Sequence, residues 1–184
     1  MEGLVSWVRN KLERWGVNFG KLNGEKSKGE GQPFMPNPWL AISLEDYEGH
    51  MGSNDVRQLE PLSDLFRRAL DLCRPESVAV LGIAGGNGLE RVDSTITKRI
   101  VGVDIHAGYL GVVQQRYGTL QGLELCCADL ADMPASLTPV ALVHAVLIFE
   151  HTGLGRCLDN ALRLVAPGGK LSVILQVPSG ANMM

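Results

Sequence analysis

Three strand-like runs in this chain each end in residues that can hold a ligand. Val80-Leu81-Gly82-Ile83-Ala84-Gly85-Gly86-Asn87-Gly88 passes from an apolar pattern into a turn with little side-chain volume, which lets a ligand approach the backbone. A helix starting near Gly88 would present unpaired amides to an anionic group such as a carboxylate. Asp104, sixteen residues beyond Gly88, follows the apolar run Val101-Gly102-Val103. A carboxylate at such a strand end accepts hydrogen bonds from both hydroxyls of a ribose; its competing role is to cap the next helix. In Cys126-Cys127-Ala128-Asp129-Leu130 the aspartate can accept from an adenine amino group while Leu130 packs on the ring, with a loop cap as the competing role. His144, inside an apolar run, reads as a core histidine, and His106 as a solvated loop residue beside Asp104.

The turn also discriminates between ligands. A dinucleotide fingerprint needs G-x-G-x-x-G, but after Gly86-x-Gly88 the third glycine position holds Arg91, so a pyrophosphate cradle is poorly supported and a nicotinamide enzyme is the weakest reading. No G-x-x-x-x-G-K-[ST] occurs, which removes the P-loop nucleotidases.

These residues need a scaffold that brings strand ends together. Strand patterns fall at 77–82, 99–104, 123–127, 140–147 and 170–177, and helical stretches at 88–96, 107–117 and 155–166, the last stopped by Pro167-Gly168-Gly169. Alternation of this kind predicts an α/β fold, a three-layer doubly wound, mostly parallel sheet, with ligands beyond the carboxyl ends of the strands. Before it, Ser43 or Asn54 can cap helices ending near 51 and spanning 55–73, with Pro61 delaying or kinking the second. The expected organisation is an amphipathic helix at 1–15, a linker at 16–38 rich in glycine, proline and lysine, a helical cap at 39–75 and a ligand-binding domain at 76–184.

Composition narrows the class. With 184 residues and 45% apolar content the chain can build one core. Its net charge of −3 argues against a general nucleic-acid binder, which needs a basic excess. No apolar run is long enough for a membrane span, and the charged N-terminus lacks the pattern of a secretory signal, so a cytoplasmic location is expected. Cys73, Cys126, Cys127 and Cys157 include no C-x-x-C pair, which favours reduced thiols and no metal site.

Together these stretches resemble the class I S-adenosylmethionine-dependent methyltransferases of small-molecule type, which have a Rossmann-like fold. Val80 to Gly88 is similar to their first motif, with Gly86 and Gly88 at the second and third glycine positions, Ala84 at the first, and Gly82 where an acid usually helps hold the cofactor's amino group. Val101-Gly102-Val103-Asp104-Ile105 resembles the ribose-binding segment and Ala128-Asp129-Leu130 the adenine-binding one. Leu147-Ile148-Phe149-Glu150-His151 resembles the stretch opening the helix after the fourth strand, and Pro167-Gly168-Gly169-Lys170-Leu171 the turn before the fifth. The resemblance implies S-adenosylmethionine as cofactor, bound by Gly82, Ala84, Gly86, Gly88, Asp104, Ile105, Asp129 and Leu130. It further implies a small-molecule methyl acceptor, with His151, His50 or Tyr47 as base. The alternative is a non-catalytic cofactor-binding or truncated partner domain of the same fold, suggested by Gly82 and by a chain that stops seven residues after Val177, where relatives add an antiparallel strand pair. An exposed sheet edge left there would favour a homodimer.

Overall fold

The structure, a computed structural model, describes residues 37–176. The expected helix at 1–15, the linker up to its last two residues, and position 177 of the expected fifth strand lie outside them.

Five strands, β1 (Ser77–Leu81), β2 (Arg99–Asp104), β3 (Leu123–Cys127), β4 (Val140–Val146) and β5 (Val165–Ile174), form one parallel sheet in the order β3-β2-β1-β4-β5. The order reverses at β1, between β2 and β4, which is where a doubly wound sheet leaves a crevice at its carboxyl edge. Helices α1 (Leu44–Gly52) and α2 (Leu59–Cys73) precede the sheet; α3 (Ala107–Tyr117) joins β2 to β3, and α4 (Phe149–Thr152) and α5 (Gly155–Arg163) join β4 to β5.

Successive strand residues point to opposite faces, and both faces are apolar because helices cover both. On one, Val78, Val80, Ile100 and Leu142 pack with Phe66 and Leu70 of α2 and Leu110 and Val113 of α3. On the other, Ala79, Leu81, Val101, Val103, Val143 and Ala145 pack with Phe149 of α4 and Cys157, Leu158 and Ala161 of α5. His144 belongs to the first face, 1% exposed, its ring stacked on Phe66 with centroids 4.7 Å apart and Nδ1 2.9 Å from Ser172 Oγ, while Nε2 has no partner. Burial lowers its pKa to about 4.

Three expected elements differ. Residues 88–96 form only a 3-10 turn, Leu89–Arg91, because the Asp93 carboxylate accepts from the Thr95 amide at 2.8 Å and its hydroxyl at 2.6 Å, taking the backbone out of helical register. β5 begins at Val165, paired with Val140, and Pro167-Gly168-Gly169 is an irregularity inside it, at a register shift, rather than a stop before it; α5 accordingly ends at Arg163. Asn54 does not cap α2. The chain turns through Arg57 at φ +47, α2 starts at Leu59, and Pro61 falls in its first turn, where a missing donor costs little. Ser43 does cap α1, its Oγ accepting from the Asp46 amide at 3.1 Å.

Candidate functional site

The carboxyl ends of β1, β2 and β4, the turns after them and after β3, and the segment before α2 enclose a cavity of about 840 Å³. A 3-10 turn at Pro38–Ala41, with the Asn37 side chain accepting from the Trp39 amide at 3.1 Å, brings Trp39 to its wall, and α1 brings Asp46, Tyr47, His50 and Met51. Two fastenings hold this cap down. Tyr109 of α3 donates its hydroxyl to the Ile42 carbonyl at 3.0 Å, and Arg116 of α3 makes a two-pronged bond to Glu48 of α1 at 2.5 and 3.0 Å. The same guanidinium reaches the Gly85 carbonyl at 3.2 Å. A Cβ at Gly85 would run into the carboxylate of Glu48, so a side chain there would push the ion pair off the turn.

Asp104 ends β2 only 9% exposed, with Oδ2 accepting from the Ala84 amide and Oδ1 from the His106 amide, each at 2.9 Å. Burial raises its pKa more than the amides of His106 and Ala84 lower it. A carboxylate offers about four lone-pair sites, so each oxygen keeps one for another donor. His106 is not the solvated residue expected beside it. Its Nδ1 caps α3 through the Tyr109 amide at 3.4 Å and its ring stacks on Tyr109 at 4.1 Å, which leaves it half-buried. Asp129 caps the short turn Leu130–Asp132 through the Ala131 amide at 2.8 Å and also lines the cavity; Asn160 of α5 fixes this turn by donating to the Leu130 carbonyl at 2.8 Å.

Of the residues expected in the site, Gly82, Ala84, Asp104, Ile105, Asp129, Leu130, Tyr47, His50 and His151 line this one cavity. Gly86 and Gly88 do not. Their missing Cβ positions face Tyr117 at 2.8 Å and Phe66 at 3.0 Å, so they let the turn press on α3 and α2. The expected anion site at a helix start is also absent. The Gly88 amide donates to Glu90 Oε2 at 3.0 Å, and the other oxygen of Glu90 accepts from Ser63 at 2.8 Å. Burial raises the Glu90 carboxyl, yet the bonds from Ser63 and from its own and the Gly88 amides outweigh it and hold the pKa below the usual range.

Gly82 has φ +70, and a Cβ there would press on the terminal methyl of Ile148 at 3.0 Å, so the acid that the resemblance implies at this position would need a strained backbone and a shifted Ile148. The Tyr47 hydroxyl is pushed above its ordinary pKa by burial first and then by Asp104, Tyr109 and Glu48, which makes it a donor rather than a base.

Sequence reasoning missed three residues of this cavity, Trp39, Tyr109 and Glu150. Trp39, Tyr47, Tyr109, His106 and His151 form a run of ring contacts along the wall, with centroids 4.6 Å apart for Trp39–His151, 6.4 Å for Trp39–Tyr47 and 6.3 Å for Tyr47–Tyr109. The signal for Trp39 was its place just after Asn37-Pro38, a helical-turn start; that for Tyr109 was its three-residue spacing from His106. Thirdly, Glu150 lines the cavity with Oε1 accepting from the Gln176 amide at 2.7 Å and Oε2 withdrawn from solvent without a partner. Leaving such an oxygen unpaired costs about 1–3 kcal/mol or more.

Comparison with known proteins places this geometry. No curated protein sequence matches the chain. Among solved structures it is similar to the N-methyltransferase NodS from Bradyrhizobium japonicum in complex with S-adenosyl-L-homocysteine, with a TM-score of 0.63 and 18% identity over 74% of this chain and 71% of that one. It is also similar to coclaurine N-methyltransferase bound to N-methylheliamine and S-adenosylhomocysteine, with a TM-score of 0.55 and 16% identity over 66% of this chain and 36% of that one. For the carbon methyltransferase CurJ the TM-score is 0.57, with 17% identity over 71% of this chain and 38% of that one. At these identities the likeness concerns the fold. The sequence profile described as a methyltransferase domain matches residues 78–169, half of the chain, from β1 through the turn inside β5. The chain therefore belongs to the methyltransferase-domain family and is an S-adenosylmethionine-dependent methyltransferase.

Proposed function

We propose that this chain methylates a small molecule held in the cavity between the strand ends and the cap. One observation carries the reading: the residues suited to the cofactor and those suited to an acceptor line a single cavity. Its volume lies toward the upper end of the ~300–1,000 Å³ usual for ligand sites, which leaves room for two molecules.

The donor and acceptor set suits S-adenosylmethionine. Asp104 keeps one acceptor site on each oxygen for the ribose hydroxyls; Asp129 can accept from the adenine amino group, with Leu130 against the ring and Ile105 beside it. Gly82 and Ala84 offer backbone at the rim, while Gly86 and Gly88 shape the turn from behind. When bound, the cofactor supplies a methyl carbon made electrophilic by a sulfonium. The protein's share is to hold the acceptor atom in line at about 3–3.5 Å, to exclude water, and to take a proton where the acceptor must lose one. His151 and His50 are the candidates for that proton, and Tyr47 donates a hydrogen bond.

Four cysteines without disulfide partners support a reducing compartment such as the cytoplasm, and among the described residues no helix is long and apolar enough to cross a membrane. A second reading, cofactor binding without turnover, draws support from the strain that an acid would meet at Gly82. Transfer of isotopically labelled methyl groups to a library of small molecules decides between them. Labelled product supports an enzyme; saturable S-adenosylhomocysteine binding with no product from any acceptor supports the second reading.

A further inference from the structure

The turn after β3 that carries Asp129 and Leu130 is gripped from behind by α5. Arg156, Asn160 and Arg163 follow one another along α5 at helical spacing, so they share a face, and all three reach this turn. Their contacts are not equal. Arg156 meets Asp132 with the two side chains 73% and 68% exposed, a kind of pair that contributes little. Arg163 reaches the Met133 carbonyl at 3.3 Å, just past the turn. Asn160 is half-buried and donates Nδ2 to the Leu130 carbonyl at 2.8 Å, an oxygen that no backbone amide reaches among the described residues.

The peptide that Asn160 holds is the one that orients Asp129. The Leu130 carbonyl and the Ala131 amide belong to a single planar trans unit, so they point in opposite directions and rotate together. At the far edge of that plane the Ala131 amide donates to Asp129 Oδ1 at 2.8 Å. Two hydrogen bonds and one rigid plane thus connect the Asn160 side chain to the Asp129 carboxylate. Asp129 lines the cavity, and with Oδ1 taken by the amide, Oδ2 is the oxygen left for a ligand. Once the carbonyl is released from Asn160 the plane is free to turn, and the amide swings away from Asp129 as it does.

We propose that Asn160 is a positioning residue for the cofactor's base: through the peptide between Leu130 and Ala131 it aims Asp129 Oδ2 at the amino group of adenine, and so sets a preference for a 6-aminopurine over a 6-oxopurine. A 6-oxo base presents an acceptor where the carboxylate needs a donor. This rests on the reading that Asp129 meets the adenine amino group, and carries it to a residue that lies outside the cavity lining.

The test compares calorimetric titrations of the full chain with S-adenosylhomocysteine and with S-inosylhomocysteine, its 6-oxo counterpart. Wild type should bind the amino compound about tenfold tighter. Asn160→Ala should weaken S-adenosylhomocysteine about tenfold and S-inosylhomocysteine by less than about twofold, which nearly abolishes the preference. Should Asn160→Ala show no cooperative urea transition, Asn160→Asp, which keeps the side-chain shape without the N–H, takes its place with the same expected result. Arg156→Ala, which breaks the exposed pair on the same helix face, should keep the preference within about twofold of wild type. A general loosening of the turn would lower both affinities alike, so equal losses in the Asn160 variant would overturn the proposal and leave the Asp129 assignment standing. An Arg156→Ala variant that abolishes the preference would also overturn it, since the peptide would then not be the link. A wild type that binds both compounds equally would overturn it together with the assignment of Asp129 to the adenine amino group.

Discussion

Replacing Asp104 by alanine separates what this carboxylate does for a ligand from what it does for the fold. In the ligand-free protein it already takes two amides, Ala84 on Oδ2 and His106 on Oδ1. Removing it orphans both, at about 1–3 kcal/mol each where they are shielded from water, and this loss should appear in urea unfolding without ligand. The remaining lone-pair sites are the ones assigned to ribose hydroxyls. Losing them should weaken S-adenosylhomocysteine binding by about 1.5–3 kcal/mol, about tenfold to somewhat over a hundredfold in dissociation constant by calorimetry. The pH dependence adds a second signature. The folded-state pKa of Asp104 is raised, chiefly by burial, so as pH falls wild-type affinity should decline earlier than an ordinary carboxyl would dictate, and Asp104→Ala should lack that component. For the ligand-free fold the sign is opposite. A carboxyl with a raised folded pKa contributes stability at pH values below its unfolded pKa and loses it as pH rises through the folded one. A folded Asp104→Ala protein with unchanged affinity would refute the ribose assignment.

His144, whose folded pKa is about 4 against an ordinary 6.5, should make stability fall as pH drops from about 6.5 to 4, because the unfolded chain takes the proton first. The difference is about 3 kcal/mol, and His144→Phe should flatten this part of a urea-midpoint against pH curve. Gly82→Asp, which introduces the acid that the resemblance implies, should destabilise the fold by about 1–2 kcal/mol from its positive φ, plus the displacement of Ile148, without tightening S-adenosylhomocysteine binding. Tighter binding in calorimetry would contradict this account. Arg116→Ala breaks the clasp to Glu48; as the pair is substantially exposed, global stability should change by less than about 1 kcal/mol, while limited proteolysis between residues 42 and 58 should accelerate.

Legibility in the sequence followed from which forces act locally. The expected ranges 99–104, 107–117 and 123–127 coincide with β2, α3 and β3 because the period of apolar residues changes abruptly at each boundary and a polar or glycine residue marks it. The stretch 88–96 has helical spacing, but one Asx turn at Asp93 decides its course, a short-range hydrogen bond that periodicity does not reveal. The turn at 167–169 looked like a stop because proline and glycine usually are one; pairing of Val165 with Val140 makes it part of a strand. In the site, Asp104 and Asp129 were legible from their places at strand ends. The outward turn of Gly86 and Gly88, the ring wall and the orphan oxygen of Glu150 depend on segments far apart in sequence, and no spacing rule reports them.

The same contacts show why a ligand-free chain can keep this site in order. Asp104 ties the turn after β1 to the start of α3, the His106 cap ties α3 to the end of β2, and Arg116 spans from α3 across Gly85 to the cap. Each bond that shapes the adenosyl side is thus also a fold contact, and its cost is met before any ligand arrives. The β4 side is different. Leu147 is held at φ +51, a conformation that costs an L-residue about 1–2 kcal/mol, and Glu150 three residues later keeps an unpaired oxygen. Ala84 on the adenosyl side carries the same strain at φ +47, so the two walls differ in their hydrogen bonds alone: those on the adenosyl side are made before any ligand arrives, and one on the β4 side is left open.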